Sequence, residues 1–258
     1  MAYILVERVF KSFRWPDGTL LQVLRGVSFE TKEYSITCLL GPSGCGKSTV
    51  LNIIAGLERA DGGKVEVKGG DTPSGGPCRL GYVFQDPRLL NWKRVDENVA
   101  FALKGMGVPK GEWGPRLARY LELVALSDFR RQYPLFLSGG MRQRVGLARA
   151  LAVEPAVLLM DEPFSKLDQL SARRLREDTL SICRKLSQTA LLVTHDVEEA
   201  VYLGDRIVTL AARPSVVAAI YENPIPPADR SWDDPRFIEF KKEVLNSVLS
   251  VAVEKSSA

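Results

Sequence analysis

Apolar positions along this chain fall into two textures, short β-rich or buried runs and helical stripes, and they alternate for most of its length. Tyr3 to Phe13 and Leu20 to Phe29 are β-rich and are joined by Arg14 to Thr19, where Pro16-Asp17-Gly18 is a turn signal, so the pattern predicts an antiparallel ribbon. Ile36 to Leu40 is a continuous apolar run, as expected of a strand covered on both faces, and Thr49 to Leu57 continues as a helix. Asp61-Gly62-Gly63 turns into an alternating strand, Lys64 to Lys68; Gly69 to Pro77 is a Gly/Pro-rich loop, and Leu80 to Phe84 a short apolar strand. A different texture runs from Pro87 to Leu137, with a helical patch at Val95 to Leu103 and a stripe of Trp113, Leu117, Leu121 and Val124, which predicts a mainly helical inserted lobe.

The α/β pattern then returns, with a helix from Gly139, a buried strand Ala156 to Met160, a charged helix Ser171 to Leu186 and a strand Ala190 to Thr194. Asp196 with Glu199 makes a capping box for a helix that closes near Gly204. Beyond Arg213-Pro214 come a short strand, Val216 to Tyr221, and a proline-rich linker. A last helix starts with Asp234 as cap and Pro235 at its first position, and carries an apolar stripe at Phe237, Phe240, Val244, Val248 and Val251.

Composition bounds this picture without changing it. The chain has 258 residues, 45% hydrophobic and 26% charged, enough for one large core with a small inserted lobe. Its net charge of +4 is spread rather than blocked, which is weak support for nucleic acid and leaves a membrane-surface partner open. Four cysteines, Cys38, Cys45, Cys78 and Cys183, show no C-x-x-C spacing and read as free thiols in a reducing cytosol. No apolar run approaches the ~20 residues of a membrane helix, and the start of the chain lacks a signal-peptide layout, so it is not expected to enter the bilayer.

The chemistry concentrates where strands end. Gly41-Pro42-Ser43-Gly44-Cys45-Gly46-Lys47-Ser48-Thr49 meets the pattern G-x-x-x-x-G-K-[ST] between a buried strand and a helix. Glycines there let successive N–H groups curl around a phosphate at a helix N-terminus; Lys47 would reach the β and γ phosphates and Ser48 would bind Mg²⁺. The strand Ala156 to Met160 delivers Asp161 and Glu162 to the carboxyl edge of a parallel sheet, Asp161 to help hold the metal and Glu162 to polarise the attacking water. Gln85 and His195, the one histidine, follow strands and are expected at that same edge, Gln85 toward metal or attacking water and His195 toward the γ phosphate. Ser138-Gly139-Gly140 opens another helix and forms a second anion site, although such helix starts are usually structural. Since one nucleotide is already served by the first cradle, the simple resolution is that this helix end meets the γ phosphate held by another copy in a symmetric head-to-tail dimer.

Taken together, GPSGCGKST, Gln85, LSGGMRQR (Leu137 to Arg144), VLLMDEP (Val157 to Pro163), SKLD (Ser165 to Asp168) and THD with His195 resemble, in order and context, the ATP-binding subunits of ABC transporters. The resemblance covers nearly the whole chain. It implies an α/β P-loop NTPase fold, a RecA-like core with an antiparallel β subdomain (residues 1–86 and 138–221), an inserted helical subdomain (87–137) and a C-terminal linker and helix (222–258). It also implies that Glu162 is the catalytic base, that His195 is a switch histidine, and that Lys47, Ser48 and Thr49 bind phosphate and metal. Ser138, Gly139 and Gly140 would contact the opposite nucleotide, and Asp168 lies in a loop coupling the two sites. Phe13 matches the aromatic that stacks on adenine, with Trp15 as a rival. SKLD departs from the more usual SALD by Lys166, which adds a positive charge near the interface.

VFQDPRLLNW, AARPSVV and the Asp-Pro start of the last helix resemble importers for nitrate, sulfonates and taurine, with Asn91 in place of the usual proline. Leu89, Leu90 and Trp92 would form a groove for a short permease helix. The expected function is an ATPase that powers a bacterial importer, with ATP and Mg²⁺ as cofactors. Its expected partners are a second ATP-binding subunit, transmembrane permease subunits and, indirectly, a substrate-binding protein, with no nucleic acid. Its expected place is peripheral, on the cytoplasmic face of the inner membrane. A soluble ATPase of the same family acting on DNA or the ribosome is the alternative, and a non-hydrolysing ATP-regulated dimer a third reading.

Overall fold

The structure, a computed structural model, describes residues 3–69 and 79–253. The predicted loop beyond Gly69, Cys78 and the side chain of Val251 lie outside the described residues. Two compact units make up the chain, one of residues 1–69 with 187–258 and one of residues 70–186. The first opens with β1 (Tyr3–Arg14), β2 (Leu20–Glu30), β3 (Ile36–Leu40), α1 (Lys47–Ile54) and β4 (Gly62–Lys68). The second holds β5 (Leu80–Val83), α2 (Val95–Gly105), α3 (Lys110–Leu123), α4 (Gly139–Leu151), β6 (Val157–Asp161) and α5 (Gln169–Lys185). The chain returns to the first for β7 (Thr189–Thr194), α6 (Val197–Leu203), β8 (Arg206–Leu210), β9 (Val217–Glu222) and α7 (Pro235–Val253).

In the first unit β1 pairs antiparallel with β2 and with β4, which gives the ribbon a third strand. The turn at Pro16-Asp17-Gly18 is closed by Gly18 N–H donating to the Trp15 carbonyl at 2.9 Å. No residue of β4 is fully buried, so its expected alternation does not translate into a buried face; as an edge strand it lacks a covering neighbour on one side. β3 runs parallel to β7 on one side and β8 on the other, and every residue of β3 and β7 is buried, as a continuous apolar run demands. β8 is not among the elements predicted from the pattern; β9 adds antiparallel to it. Helix α1 stops at Ile54, three residues before the expected end, where Gly56 takes φ 71° and breaks the helical path.

The last helix packs on this unit. Phe237, Phe240 and Val244 are buried, each worth about 1.5–3 kcal/mol relative to exposure. Ahead of them Trp232 stacks on Tyr202 of α6, with centroids 3.9 Å apart and planes at 8°. The buried Arg230 guanidinium donates to the carbonyls of Ile225, Tyr202 and Leu203 and to Asp205 Oδ1. Asp205 Oδ2 in turn accepts the Ile36 N–H at 2.8 Å. A buried guanidinium is tolerated only when its donors are satisfied, and here they are satisfied by backbone on either side.

In the second unit β5 and β6 pair in parallel, Leu80 opposite Val157 through Val83 opposite Met160. A Cβ at Gly81 would meet the Ala150 carbonyl oxygen at 2.7 Å, so α4 lies hard against β5. The segment expected to be helical is helical in α2 and α3, and of its predicted stripe Leu121 and Val124 are buried while Trp113 and Leu117 are half-buried. Asn98, fully buried, donates to the carbonyls of Leu90, Lys93 and Arg94 and accepts the Leu90 N–H, which fixes the turn entering α2.

Candidate nucleotide site

The phosphate loop follows β3 at Gly41, which is wedged against its surroundings. A Cβ there would meet the Leu210 carbonyl oxygen and Cys45 Sγ, both at 3.0 Å. Gly46 caps α1 with φ 113°, a conformation that side-chain-bearing residues rarely adopt, and as a glycine it contributes no side-chain cap. Its absent Cβ is required twice over, since it would stand 2.6 Å from Val23 Cγ1 of β2. Lys47 is buried, and its Nζ donates to the carbonyl oxygens of Gly41 at 2.9 Å and Pro42 at 3.0 Å, so the ammonium lies inside the loop. Pro42, Ser43, Gly44 and Ser48 are exposed around it and Thr49 is half-buried. The buried Ser215 hydroxyl, which the sequence reading passed over, donates to the Cys45 carbonyl and braces the loop from beneath. Burial pushes the Cys45 thiol pKa up, and Lys47 beside it opposes the shift.

His195 is exposed at the end of β7, and the Thr194 carbonyl just before it accepts the Gly41 N–H at 3.4 Å. The structure thus brings His195 and the phosphate loop to one edge of the parallel strands. Phe13 is 37% exposed, with Lys11 Nζ 5.0 Å from its ring centroid, and Trp15 is 56% exposed. Trp15 is the more exposed of the two rings, while the Lys11 ammonium lies over Phe13.

In the second unit four of the predicted pieces converge. Asp161 ends β6 half-buried; burial, and then its negative charge, push the Tyr82 phenol pKa upward. Glu162, the next residue, has φ 42°, a left-handed backbone that a residue with a side chain adopts only when held. The holding contact is Ser165, whose Oγ and N–H both donate to the Glu162 carbonyl. Gln85 Nε2 donates to that same Ser165 Oγ at 3.1 Å. Ser138 caps α4 by accepting the Met141 N–H at 3.2 Å, and a Cβ at Gly139 would touch Leu167 Cδ2 at 3.4 Å. Asp168 caps α5 by accepting the Ser171 N–H, so α5 starts at Gln169, two residues earlier than predicted; hydrogen bonding from the Ser171 side chain, and then from its N–H, holds the Asp168 pKa below the ordinary carboxylate value.

Helix α4 links the glycine pair to the Gln85 segment through Gln143, which lies within LSGGMRQR but had no assigned role, and Arg149, which the sequence reading missed. Gln143 donates to the Phe84 carbonyl at 3.0 Å, and Arg149 to the carbonyls of Pro87 and Arg88. For Arg149 the signal in the sequence was its position on the inward face of the helix, which looks the same for packing as for function. Beside them lies an apolar cavity of about 440 Å³, lined among others by Tyr82, Phe84, Arg88, Phe101 and Met106. Leu89 and Leu90 are half-buried and Trp92 is exposed, and none of the three lines this cavity.

Comparison with known proteins agrees with this arrangement. The ABC transporter family model matches residues 24–165. An uncharacterized ABC transporter ATP-binding protein of Methanocaldococcus jannaschii is 41% identical, over 97% of this chain and 92% of that one. The taurine import ATP-binding protein TauB of Jannaschia sp. is 36% identical, over 98% of this chain and 97% of its own length. A solved ATP-binding cassette, a dimer in a post-hydrolysis state with ADP and Pi, superposes with a TM-score of 0.71 at 28% identity, covering 86% of this chain and 100% of that one. More than half of the chain lies within the matched family segment, and with these relatives along nearly its full length it belongs to the ABC transporter family as an ATP-hydrolysing, ATP-binding subunit.

Proposed function

We propose that this chain is the ATPase subunit of a bacterial importer and that it works as one half of an ATP sandwich with a second copy of itself. The observation that carries this reading is a chain with two helix starts suited to phosphate, the glycine cradle before α1 with Lys47 Nζ inside it and the Ser138-Gly139-Gly140 start of α4. One ATP per chain needs only the first, and a symmetric partner supplies an occupant for the second.

In this reading Gly41 to Gly46 cradle the phosphates with backbone N–H groups, Lys47 neutralises the β and γ oxygens, and Thr49 adds a hydroxyl. Phe13, or Trp15 in its place, stacks on the adenine. Glu162 takes the proton of the attacking water while His195 holds the γ phosphate. Ser48, Gln85 and Asp161 offer only oxygen donors, the set that suits Mg²⁺ alongside phosphate oxygens and water, so these residues fit the ion and would hold it. The ion would supply positive charge that offsets the charge of the phosphate oxygens. Asp168, at the start of α5, lies in the loop that couples the two nucleotides of the pair. The functional divisions are a core with its β subdomain (1–86 and 138–221), a helical lobe (87–137) and a tail (222–258).

The permease partner docks a short helix into the apolar cavity lined by Phe84, Phe101 and Met106. Among the described residues no helix is long and apolar enough to cross a membrane, so attachment to the cytoplasmic face of the inner membrane comes through that partner. The cargo is a small solute of the nitrate, sulfonate or taurine kind, which the likeness to TauB supports, delivered to the permease by a substrate-binding protein. Tagging the chain, solubilising membranes gently and identifying its co-purifying proteins by mass spectrometry tests this. A multi-spanning permease is expected; recovery with ribosomes or DNA from the soluble fraction would overturn it.

A further inference from the structure

The lysine that sets SKLD apart has a partner. Lys166 Nζ lies 3.4 Å from Asp86 Oδ2, across eighty residues of chain, and Gln85 Nε2 donates to Ser165 Oγ one position away on each strand of this contact. On one side, Gln85-Asp86 is flanked by Phe84 and Arg88, which line the apolar cavity. Asp86 is itself fixed by accepting the Arg88 N–H at 3.2 Å. On the other side, Ser165-Lys166 closes the turn that begins at Glu162, and Ser165 makes both of the hydrogen bonds that hold the Glu162 carbonyl. The turn carrying a left-handed Glu162 is therefore joined at two points to the segment bordering the cavity.

We infer that Lys166 and Asp86 form a tether that positions Glu162 for ATP hydrolysis and ties its turn to whatever fills the cavity. Lys166 acts through Glu162 and touches neither ATP nor water; it is a positioning residue. The inference rests on Glu162 being the catalytic base. With the more usual alanine at this position this ion pair would be absent, and beyond the β5–β6 pairing the hydrogen bond Gln85 to Ser165 would hold the turn without it. Both partners of the ion pair are largely exposed, with side chains 57% and 68% accessible, so the effect is small and sensitive to salt.

The test is steady-state ATP turnover by the full chain at saturating Mg-ATP, in low salt and in about 1 M salt, where the screening length falls to about 3 Å. Lys166→Ala and Asp86→Ala are each expected to lower kcat roughly two- to five-fold in low salt, the range that an exposed pair commands, with KM for ATP unchanged. The reversed pair, Lys166→Glu with Asp86→Lys, is expected to recover most of the loss, which a purely structural role of either residue would not produce. In high salt the difference between wild type and Lys166→Ala should shrink. Wild-type kcat in both single variants, or a reversed pair no better than the singles, would overturn the tether. Failure of the underlying assignment appears separately, as undiminished turnover in Glu162→Gln, a variant that leaves Lys166 and Asp86 in place.

Discussion

Replacing Gly46 by alanine isolates what the phosphate loop demands of its backbone. Two costs are legible. The residue holds φ 113°, outside the region open to side-chain-bearing residues, and such strain costs about 1–3 kcal/mol. The new methyl would also stand 2.6 Å from Val23 Cγ1 and 3.0 Å from Leu24 Cδ2. Val23 and Leu24 are 4% and 0% exposed, so neither can swing away, and overpacking of this kind costs about 1–3 kcal/mol more. Together the loss is about 2–6 kcal/mol. At about 2–4 °C per kcal/mol for a chain of this size, the melting temperature should fall by roughly 5–20 °C. Gly44→Ala is the comparison, since Gly44 has φ 76° but its Cβ would meet nothing closer than Arg213 Nη2 at 3.5 Å. It should lose only the backbone part, about 1–2 kcal/mol. Far-UV circular dichroism melts at one scan rate, with binding of a fluorescent ATP analogue measured in parallel, read both variants. A Gly46→Ala melt within 2 °C of Gly44→Ala would refute the argument that β2 closes the back of the loop.

Glu162→Gln keeps size and hydrogen bonding but removes the base, so turnover should drop by two to four orders of magnitude while ATP stays bound and a stable dimer accumulates in size-exclusion chromatography; a monomer at saturating ATP would count against the sandwich. Ser138→Arg puts bulk and charge at the start of α4 and removes a cap worth about 1 kcal/mol. It should spare nucleotide binding but abolish dimer closure, whereas Ser138→Ala loses the cap alone; unchanged ATPase activity in the arginine variant would contradict the second phosphate site. Cys45 is 2% exposed and its thiol pKa is raised by burial, so at pH 8 iodoacetamide should label it far more slowly in the native chain than after unfolding. Because the folded-state value lies above the unfolded one of ~8.5, its contribution to stability is present below that pH and is lost as pH rises through the folded value. Equal labelling rates in native and unfolded protein would show that the loop opens.

Much of the fold was legible because its elements are local. The apolar run of β3 and the glycine pattern after it lie within fourteen consecutive residues, and backbone conformation there follows from residue type at each position. The same holds for the Ser138 cap and for the stripe of α7, where Phe237, Phe240 and Val244 are buried as their spacing requires. An element with a weak local signal was lost: β8 is short and follows a turn with no marked breaker beyond Gly204, whereas β4 was expected as an alternating strand and is present, without the buried face its alternation suggests. Helix α5 begins at Gln169, two residues before the expected Ser171, because a capping aspartate such as Asp168 looks like any other in a polar stretch.

By itself, then, the sequence determined that this chain binds a nucleotide triphosphate and to which family it belongs, since the motifs are contiguous and each carries its own chemistry. Tertiary structure alone decided how those motifs are held. Ser215 under the phosphate loop, Arg230 between the C-terminal segment and α6, Gln143 and Arg149 on the Gln85 segment, and Lys166 on Asp86 are all side chains whose partners lie elsewhere in the chain. A hydrogen bond or ion pair of that kind leaves no periodic trace, because it depends on where packing brings two backbones together and not on the residues beside either partner.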